Sequence, residues 1–423
     1  MLRLIFTTLI LIPFSNAAGF TREQNTHDEK SQHSSMLTTD DQINIDSSTL
    51  AIEEIYMIKS QYRNQNYNFA NLYYPSQTSN CLLFILPGFS EPAALYREFV
   101  SDYRQKVGND ACSVVIVDHI NQGLSDRTSP PKKNYAAQMD NWSQAAGDFA
   151  RAIQCFYQIE TPNCFESKRP VKHKTLPHIY MMANSAGGGI ATYGLIYQGR
   201  ALSATNQQSF DPRFSAFSKV EKIVLTSPLF DYSDREKSIL ERSLRYMGQS
   251  INAVRCRIID CARRIYKEPK SDSLEKIYFE AKTDELERAN KGELKLTHSL
   301  TRLKKRWQLF GTEVKGTPFK MFTLTFTYSW ALATKYGSAY IRENYETLNQ
   351  LPNLNKIEIY SVDNDTFVDS MTHRYICARL EKCSLVRLGD EYYHGIIHES
   401  DAPRNRVLDS IFLNLHPREN KDR

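Results

Sequence analysis

Ile179-Tyr180-Met181-Met182-Ala183-Asn184-Ser185-Ala186-Gly187-Gly188-Gly189 is the stretch whose reading decides the fold. Its first four residues form a short apolar run, the signature of a buried strand. Ala186 to Tyr197 reads as a helix. Between them, Ala183-Asn184-Ser185-Ala186-Gly187 matches the nucleophile-elbow pattern G-x-S-x-G, with Ala in the first position. That chemistry requires a serine on a sharp, strained turn, so that its hydroxyl projects from the end of the strand. The flanking residues must be small because strand and helix backbones nearly touch there. A glycine-rich turn carrying a passive serine is the alternative reading of the motif alone.

Outward from this point, strands and helices alternate. Leu82 to Leu86 is an apolar run ending at Pro87-Gly88, and Ser113 to Val117 is another ending at Asp118. Ile223 to Leu225, Ile357 to Tyr360 and Ser384 to Leu388 continue the series. Runs of this kind are strands buried on both faces, as in a parallel sheet covered by helices. Helices are expected over Ala136–Tyr157, Tyr328–Tyr345, Phe367–Arg379 and Ala402–Leu415. Upstream, Ile52–Lys59 and Asn66–Tyr74 read as two strands paired antiparallel. The fold class is α/β, an αβα sandwich with a mostly parallel sheet. Residues 229–325 break the rhythm with a charged, helical pattern and read as a cap inserted into the core. The core then comprises residues 52–228 and 326–423.

Composition narrows the function classes. The 423 residues are 41% hydrophobic and 24% charged, which excludes a disordered, collagen-like or coiled-coil chain. A net charge of +5 is too dilute over this length to imply nucleic acid. No interior stretch reaches the roughly 18 apolar residues that span a bilayer.

The amino terminus reads as a secretion signal. Arg3 precedes an apolar core from Leu4 to Phe14, and Ser15-Asn16-Ala17 offers small residues to a signal peptidase. Cleavage after Ala17 would leave 423 − 17 = 406 residues. Residues 18–51 are polar, without apolar periodicity, and read as a mobile linker. The eight cysteines suit an oxidising compartment, periplasmic or extracellular. Short loops favour the pairs Cys155–Cys164, Cys256–Cys261 and Cys377–Cys383, which leaves Cys81 with Cys112. Neither cysteines nor histidines show metal-ligand spacing, and no cofactor is expected.

Nucleophilic catalysis needs a base, an acid and an oxyanion site. Pro87-Gly88-Phe89-Ser90-Glu91 follows a strand, and its Phe89 N–H together with Ala186 N–H are the candidate oxyanion donors. In the order Ser, acid, His, three histidines lie far enough downstream: His373, His394 and His398. His394 sits in a loop between the last strand and the last helix, where the base belongs, and is preferred over His398. The acid follows the preceding strand, with Asp365 at the head of the next helix preferred and Asp363 second. Each acid also reads as a helix cap or turn residue.

These residues together resemble the α/β-hydrolase superfamily, in its lysophospholipase and monoacylglycerol-lipase-like branch. Leu86 to Glu91 is similar to that family's oxyanion loop. Asp118 to Arg127 resembles its D-x-R-G-x-G-x-S-x-R segment, with Ile120-Asn121 in place of Arg-Gly. Asp365-x-x-Val368 matches the acid turn. His394 to Arg404 resembles H-E-x-x-x-E-x-D-x-x-R, with Glu399, Asp401 and Arg404 in register and Gly395 at the usual Glu. The resemblance covers residues 52–415. It implies attack by Ser185 on an acyl ester of lysophospholipid or monoacylglycerol, and an acyl-enzyme that water activated by His394 hydrolyses. Trp307, Phe310, Phe319, Met321, Phe322, Leu324 and Phe326 would line an acyl tunnel or form the cap's own core. Arg302 and the run Lys304-Lys305-Arg306 would attract an anionic lipid surface, or form a solvated face. A peptidase or small-ester hydrolase on the same scaffold, and a catalytically silent binding module, are the competing readings.

Overall fold

The computed structural model describes residues 53–62, 65–76, 78–127, 136–137, 139, 141–157, 164–165, 177–203, 211–233, 274–291, 296–311, 325–326, 328–389 and 391–415. The expected signal sequence and linker, residues 1–51, lie outside them, as do Cys256 and Cys261.

The chain opens with β1 (Glu54–Tyr62), β2 (Gln65–Tyr74) and β3 (Cys81–Leu86). Helix α1 (Arg97–Val107) leads to β4 (Ser113–Val117). A two-residue strand β5 (Ala136–Ala137) precedes α2 (Trp142–Tyr157). Then come β6 (His178–Asn184), α3 (Ser185–Ser203) and β7 (Val220–Thr226). Helices α4 (Leu274–Asn290) and α5 (Leu300–Phe310) fall within the 229–325 block. The chain continues through β8 (Thr325–Phe326), α6 (Tyr328–Asn344), β9 (Lys356–Val362), α7 (Ser370–Cys377), β10 (Cys383–Leu388) and α8 (Asp401–Leu415).

Among the described residues, eight strands form one sheet in the order β1-β2-β4-β3-β6-β7-β9-β10. The β1–β2 and β2–β4 pairs are antiparallel, and every later pair is parallel. The central strands are buried on both faces. Leu82, Phe84 and Leu86 of β3 enter one core, and Cys81, Leu83 and Ile85 enter the other. Residues of β6 divide in the same way, Ile179, Met181 and Ala183 against Tyr180 and Met182. This period of two is the pleat of a strand. Residues of α2, α3, α6 and α7 fill the first core, and residues of α1 and α8 the second. The αβα sandwich expected from the alternating runs is the architecture observed.

Two helix starts differ from the sequence reading, and one helix was not anticipated. Helix α2 begins at Trp142 rather than Ala136, because the Asn141 side chain caps it by accepting the Gln144 N–H at 2.8 Å. Ala136-Ala137 pair instead with Thr325-Phe326 in a small parallel ladder. Helix α7 begins at Ser370 rather than Phe367, capped by Asp369, whose carboxylate accepts the Met371 N–H at 3.0 Å. Helix α1 was not anticipated. Its apolar stripe is short, Phe99, Val100 and Tyr103, among charged neighbours.

Three of the four expected disulfides are formed among the described residues, Cys81–Cys112, Cys155–Cys164 and Cys377–Cys383. The Cys81–Cys112 bridge joins the start of β3 to the residue before β4. No described helix is long and apolar enough to cross a membrane. The Cys81–Cys112 bridge closes a separation of 31 residues. Replacing both cysteines by alanine should lower the unfolding free energy by about 3 to 4 kcal/mol, from the added freedom of the unfolded chain. A urea midpoint equal to that of the wild type would contradict this.

Candidate active site

The site is built on the loops that leave the carboxyl ends of the parallel strands. β6 ends at Asn184, and α3 starts at the next residue, Ser185. Ser185 adopts a φ of +48°, a left-handed conformation that costs a non-glycine residue about 1–2 kcal/mol. The turn is held from both sides. The Ser185 carbonyl accepts the Leu229 N–H at 2.8 Å. A Cβ at Gly187 would drive into the carbonyl oxygens of Leu86 and Pro87, so only glycine fits there. Ala183, at the usual first glycine of the motif, is fully buried in the first core.

The Ser185 hydroxyl lies 2.8 Å from His394 Nε2. His394 Nδ1 in turn lies 2.7 Å from Asp365 Oδ2. The second carboxylate oxygen of Asp365 accepts the Phe367 and Val368 N–H groups at 2.8 and 3.2 Å. Burial alone would raise the Asp365 carboxyl, but the His394 charge and these hydrogen bonds outweigh it and hold the acid below its usual range. For His394, burial acts to lower the imidazole, and the Asp365 charge and hydrogen bond reverse this, so it titrates above its ordinary value. The structure thus brings Ser185, His394 and Asp365 into one hydrogen-bonded chain.

The rival candidates fall elsewhere. Asp363 pairs with Arg374 and Arg387 at 2.6 and 2.7 Å. Asp365 does not head a helix, contrary to expectation. It sits in the turn after β9, and Asp369 caps α7 instead. His373 is buried between Ser361 Oγ at 2.8 Å and the Pro228 carbonyl at 2.6 Å. Burial pushes its pKa down to about 4. His398 lies 3.9 Å from Glu91, and burial likewise pushes it down to about 4.

The histidine loop is held by the residues in register with the family pattern. The buried Glu399 carboxylate accepts the N–H groups of Tyr393 at 2.5 Å and His298 at 2.8 Å. Arg404 donates to the Ile397 carbonyl at 2.9 Å and pairs with Asp102 at 2.6 Å. Residues preceding α5 support the same loop. Leu296 accepts the Gly395 N–H at 2.8 Å, and His298 stacks on Tyr393 with ring centroids 3.7 Å apart.

The loop after β3 runs beside the serine. A Cβ on Gly88 would come within 3.1 Å of Ser185 Cβ. Ser90 has a φ of +62°, and its N–H donates to the Gln122 side chain. The Phe89 ring packs on Trp330 at 4.9 Å. The neighbouring loop after β4 is organised by Asp118, which accepts the Ala93 and Leu124 N–H groups at 2.6 and 2.9 Å. Asn121 stands at φ +67°, where the resembled pattern has glycine. Asparagine tolerates that conformation better than most residues.

Sequence reasoning missed Glu91, Asn184 and Gln122, which connect these loops. Their only signal was position, within segments already singled out for other residues. The basic segment also differs from a uniform cationic face. Arg302 is buried, paired with Glu98 on α1 and with Asp401, each at 2.6 Å. Arg306 pairs with Glu285 at 2.9 Å and donates to Ser90 Oγ at 3.1 Å. Of the apolar residues considered for a tunnel, Trp307 and Phe310 are fully buried in the second core. Phe319, Met321, Phe322 and Leu324, and the Phe326 side chain, lie outside the described residues. Among the described residues, no group of three or more His, Cys, Asp or Glu side chains is arranged to hold a metal ion.

No protein-family model and no curated protein sequence matches the chain. Solved structures do match. A soluble variant of monoglyceride lipase from Saccharomyces cerevisiae, in complex with a substrate analog, aligns over 86% of this chain and 96% of its own, with a TM-score of 0.50 at 12% identity. A lipase in its open form aligns over 86% and 98%, with a TM-score of 0.53 at 13% identity. Likeness at this level of identity speaks to architecture. With the sheet order and the serine turn described above, it establishes that this chain has the fold of the α/β-hydrolase superfamily.

Proposed function

We propose that the protein is an exported serine hydrolase that cleaves acyl esters of lysophospholipid or monoacylglycerol through Ser185, His394 and Asp365. The observation that carries this reading is the continuous chain of contacts, 2.8 Å from Ser185 Oγ to His394 and 2.7 Å from His394 to Asp365. Asp365 accepts a hydrogen bond from the Nδ1–H, which leaves the Nε2 lone pair facing the serine hydroxyl. His394 then takes the hydroxyl proton as Ser185 attacks the acyl carbonyl. The oxyanion faces the N–H groups of Phe89 and Ala186, and each such donor is worth about 2.7–4 kcal/mol in the transition state. His394 returns its proton to the leaving glycerol oxygen, and the acyl group stays on Ser185. Water deprotonated by the same imidazole attacks the acyl-enzyme, and the fatty acid leaves.

The lipid reading is supported by the family resemblance and by lipases among the structural matches. The export reading is supported by the amino-terminal sequence and by three disulfides, which form and persist in oxidising compartments.

His394 must be neutral to act as a base, and its pKa is raised. Activity should therefore fall as the pH drops through a value above 6.5, the ordinary histidine value. Asp365→Asn removes the charge that raises it. That change should lower kcat by about ten-thousand-fold and move the acid limb of kcat/KM to lower pH. An acid limb that stays in place would contradict the assignment of Asp365.

On a panel of monoolein, lysophosphatidylcholine, 4-nitrophenyl butyrate and proline 4-nitroanilide, kcat/KM should be highest on the two lipids. Turnover of the anilide alone would point to a peptidase. Turnover of the butyrate alone would point to a small-ester hydrolase.

A further inference from the structure

Glu91 is a buried carboxylate that the mechanism above does not use. It lies where two parts of the site meet. One oxygen accepts the Gly88 N–H at 2.7 Å and the Tyr96 hydroxyl at 2.8 Å. Both oxygens lie 3.0 Å from the side-chain amide nitrogen of Asn184, the residue immediately before the nucleophile. Asn184 is fixed in turn, its carbonyl oxygen accepting the Thr226 hydroxyl from β7 at 2.7 Å. A buried charge is tolerated only when it is fully hydrogen-bonded, and three different donors satisfy this one.

We propose that Glu91 is a positioning residue that clamps the Gly88–Phe89 loop to the strand end bearing Ser185 and adds to the negative field felt by His394. The inference rests on the serine-hydrolase reading above. It adds a second carboxylate to that site, acting on the oxyanion side while Asp365 acts on the imidazole.

Two properties of a carboxylate matter here. First, it is an acceptor only. Glutamine would turn an N–H₂ toward the donors of Gly88 or Asn184, and the loop would be pushed off its place. A displacement of about 1 Å near the reacting atoms costs on the order of a hundredfold in rate. Second, it is negative. Burial alone would raise its pKa, and the nearby His398, with the hydrogen bonds from Asn184, Tyr96 and Gly88, brings it below its usual range. The charge favours the imidazolium that His394 becomes during catalysis, adding to the larger effect of Asp365.

The other groups around the pair are accounted for. His394 is faced by Asp365, by Ser185, by the Phe367 ring and by the field of the buried His373. Glu91 is faced by Tyr96, by His398 at 3.9 Å and by the field of His119. His119, His373 and His398 are each pushed down to about 4, so they stay neutral through the range in which His394 titrates. Arg404, Glu98 and Arg302 also act electrostatically on His398.

The test compares Glu91→Gln and Asn184→Ala with the wild-type mature chain. Three quantities are read: the second-order rate of labelling by a fluorophosphonate, the pH dependence of that rate, and the His394 pKa from NMR with labelled histidine. Glu91→Gln should slow labelling about tenfold or more. It should also move the acid limb and the His394 pKa to lower pH. Asn184→Ala keeps the charge and loosens the clamp, so labelling should slow about tenfold while the acid limb stays in place.

Glu91→Gln labelling at the wild-type rate, or with an unmoved acid limb, overturns the proposal. If Glu91→Gln does not fold, Asn184→Ala decides alone, and an unchanged labelling rate overturns it. A wild-type chain that resists labelling sinks the hydrolase reading and leaves the NMR titration to judge Glu91. In that titration a His394 pKa equal in wild type and Glu91→Gln overturns the clamp-and-field role.

Discussion

A serine held in a left-handed backbone turn, at the point where a buried parallel strand becomes a helix, is the constraint on which the rest of this structure depends. The turn at Ser185 can exist only because β6 is fixed between β3 and β7 and because Gly187 lets α3 cross directly over the end of β3. The strain of one residue is small beside the burial of the strand that carries it. β6 is buried along its length apart from His178, and each apolar side chain so buried contributes about 1.5–3 kcal/mol. The sheet therefore over-determines the position of a single hydroxyl.

A second pattern is electrostatic. Four loops leave the carboxyl ends of β3, β4, β9 and β10, and each is organised by one buried carboxylate that accepts backbone N–H groups. Glu91 takes the Gly88 N–H, and Asp118 takes those of Ala93 and Leu124. Asp365 takes those of Phe367 and Val368, and Glu399 takes those of Tyr393 and His298. Loops lack the repeating ladder that satisfies the backbone in strands and helices, so buried acceptors must be supplied by side chains. Carboxylates do this with charge-assisted bonds, about twice as strong as neutral ones. Two of these acids, Asp365 and Glu91, also place negative charge near the His394 imidazole. Loop architecture and site electrostatics are therefore one arrangement.

The parts legible in the sequence were those with short-range causes. The apolar runs around Leu82–Leu86 and Ile179–Met182 announce strands buried on both faces, because no polar face interrupts them. The elbow at Ser185 declares itself through small residues at fixed offsets. His394 stood apart from His373 because a helical position such as that of His373 reads as a packing position, and from His398 through the register of Glu399, Asp401 and Arg404 with the resembled pattern. The parts that stayed hidden have long-range causes. The burial of Arg302 depends on Glu98, which is 204 residues away in the chain. Glu91 reads as one more acid in a turn until Asn184 arrives beside it from 93 residues away. The start of α2 and the true cap of α7 were misplaced because Asn141 and Asp369 are ordinary polar residues until their neighbours fold over them.

The central claim is that the Ser185 hydroxyl, deprotonated by His394, becomes covalently acylated. It is tested most directly by mixing the protein with a chromogenic fatty-acyl ester, quenching in acid within milliseconds, and weighing the proteolytic peptides by mass spectrometry. The account predicts that the acyl mass appears on the peptide containing Ser185 during turnover and decays as product forms. An acyl group found on a different side chain, or ester consumed with Ser185 never modified, would contradict it.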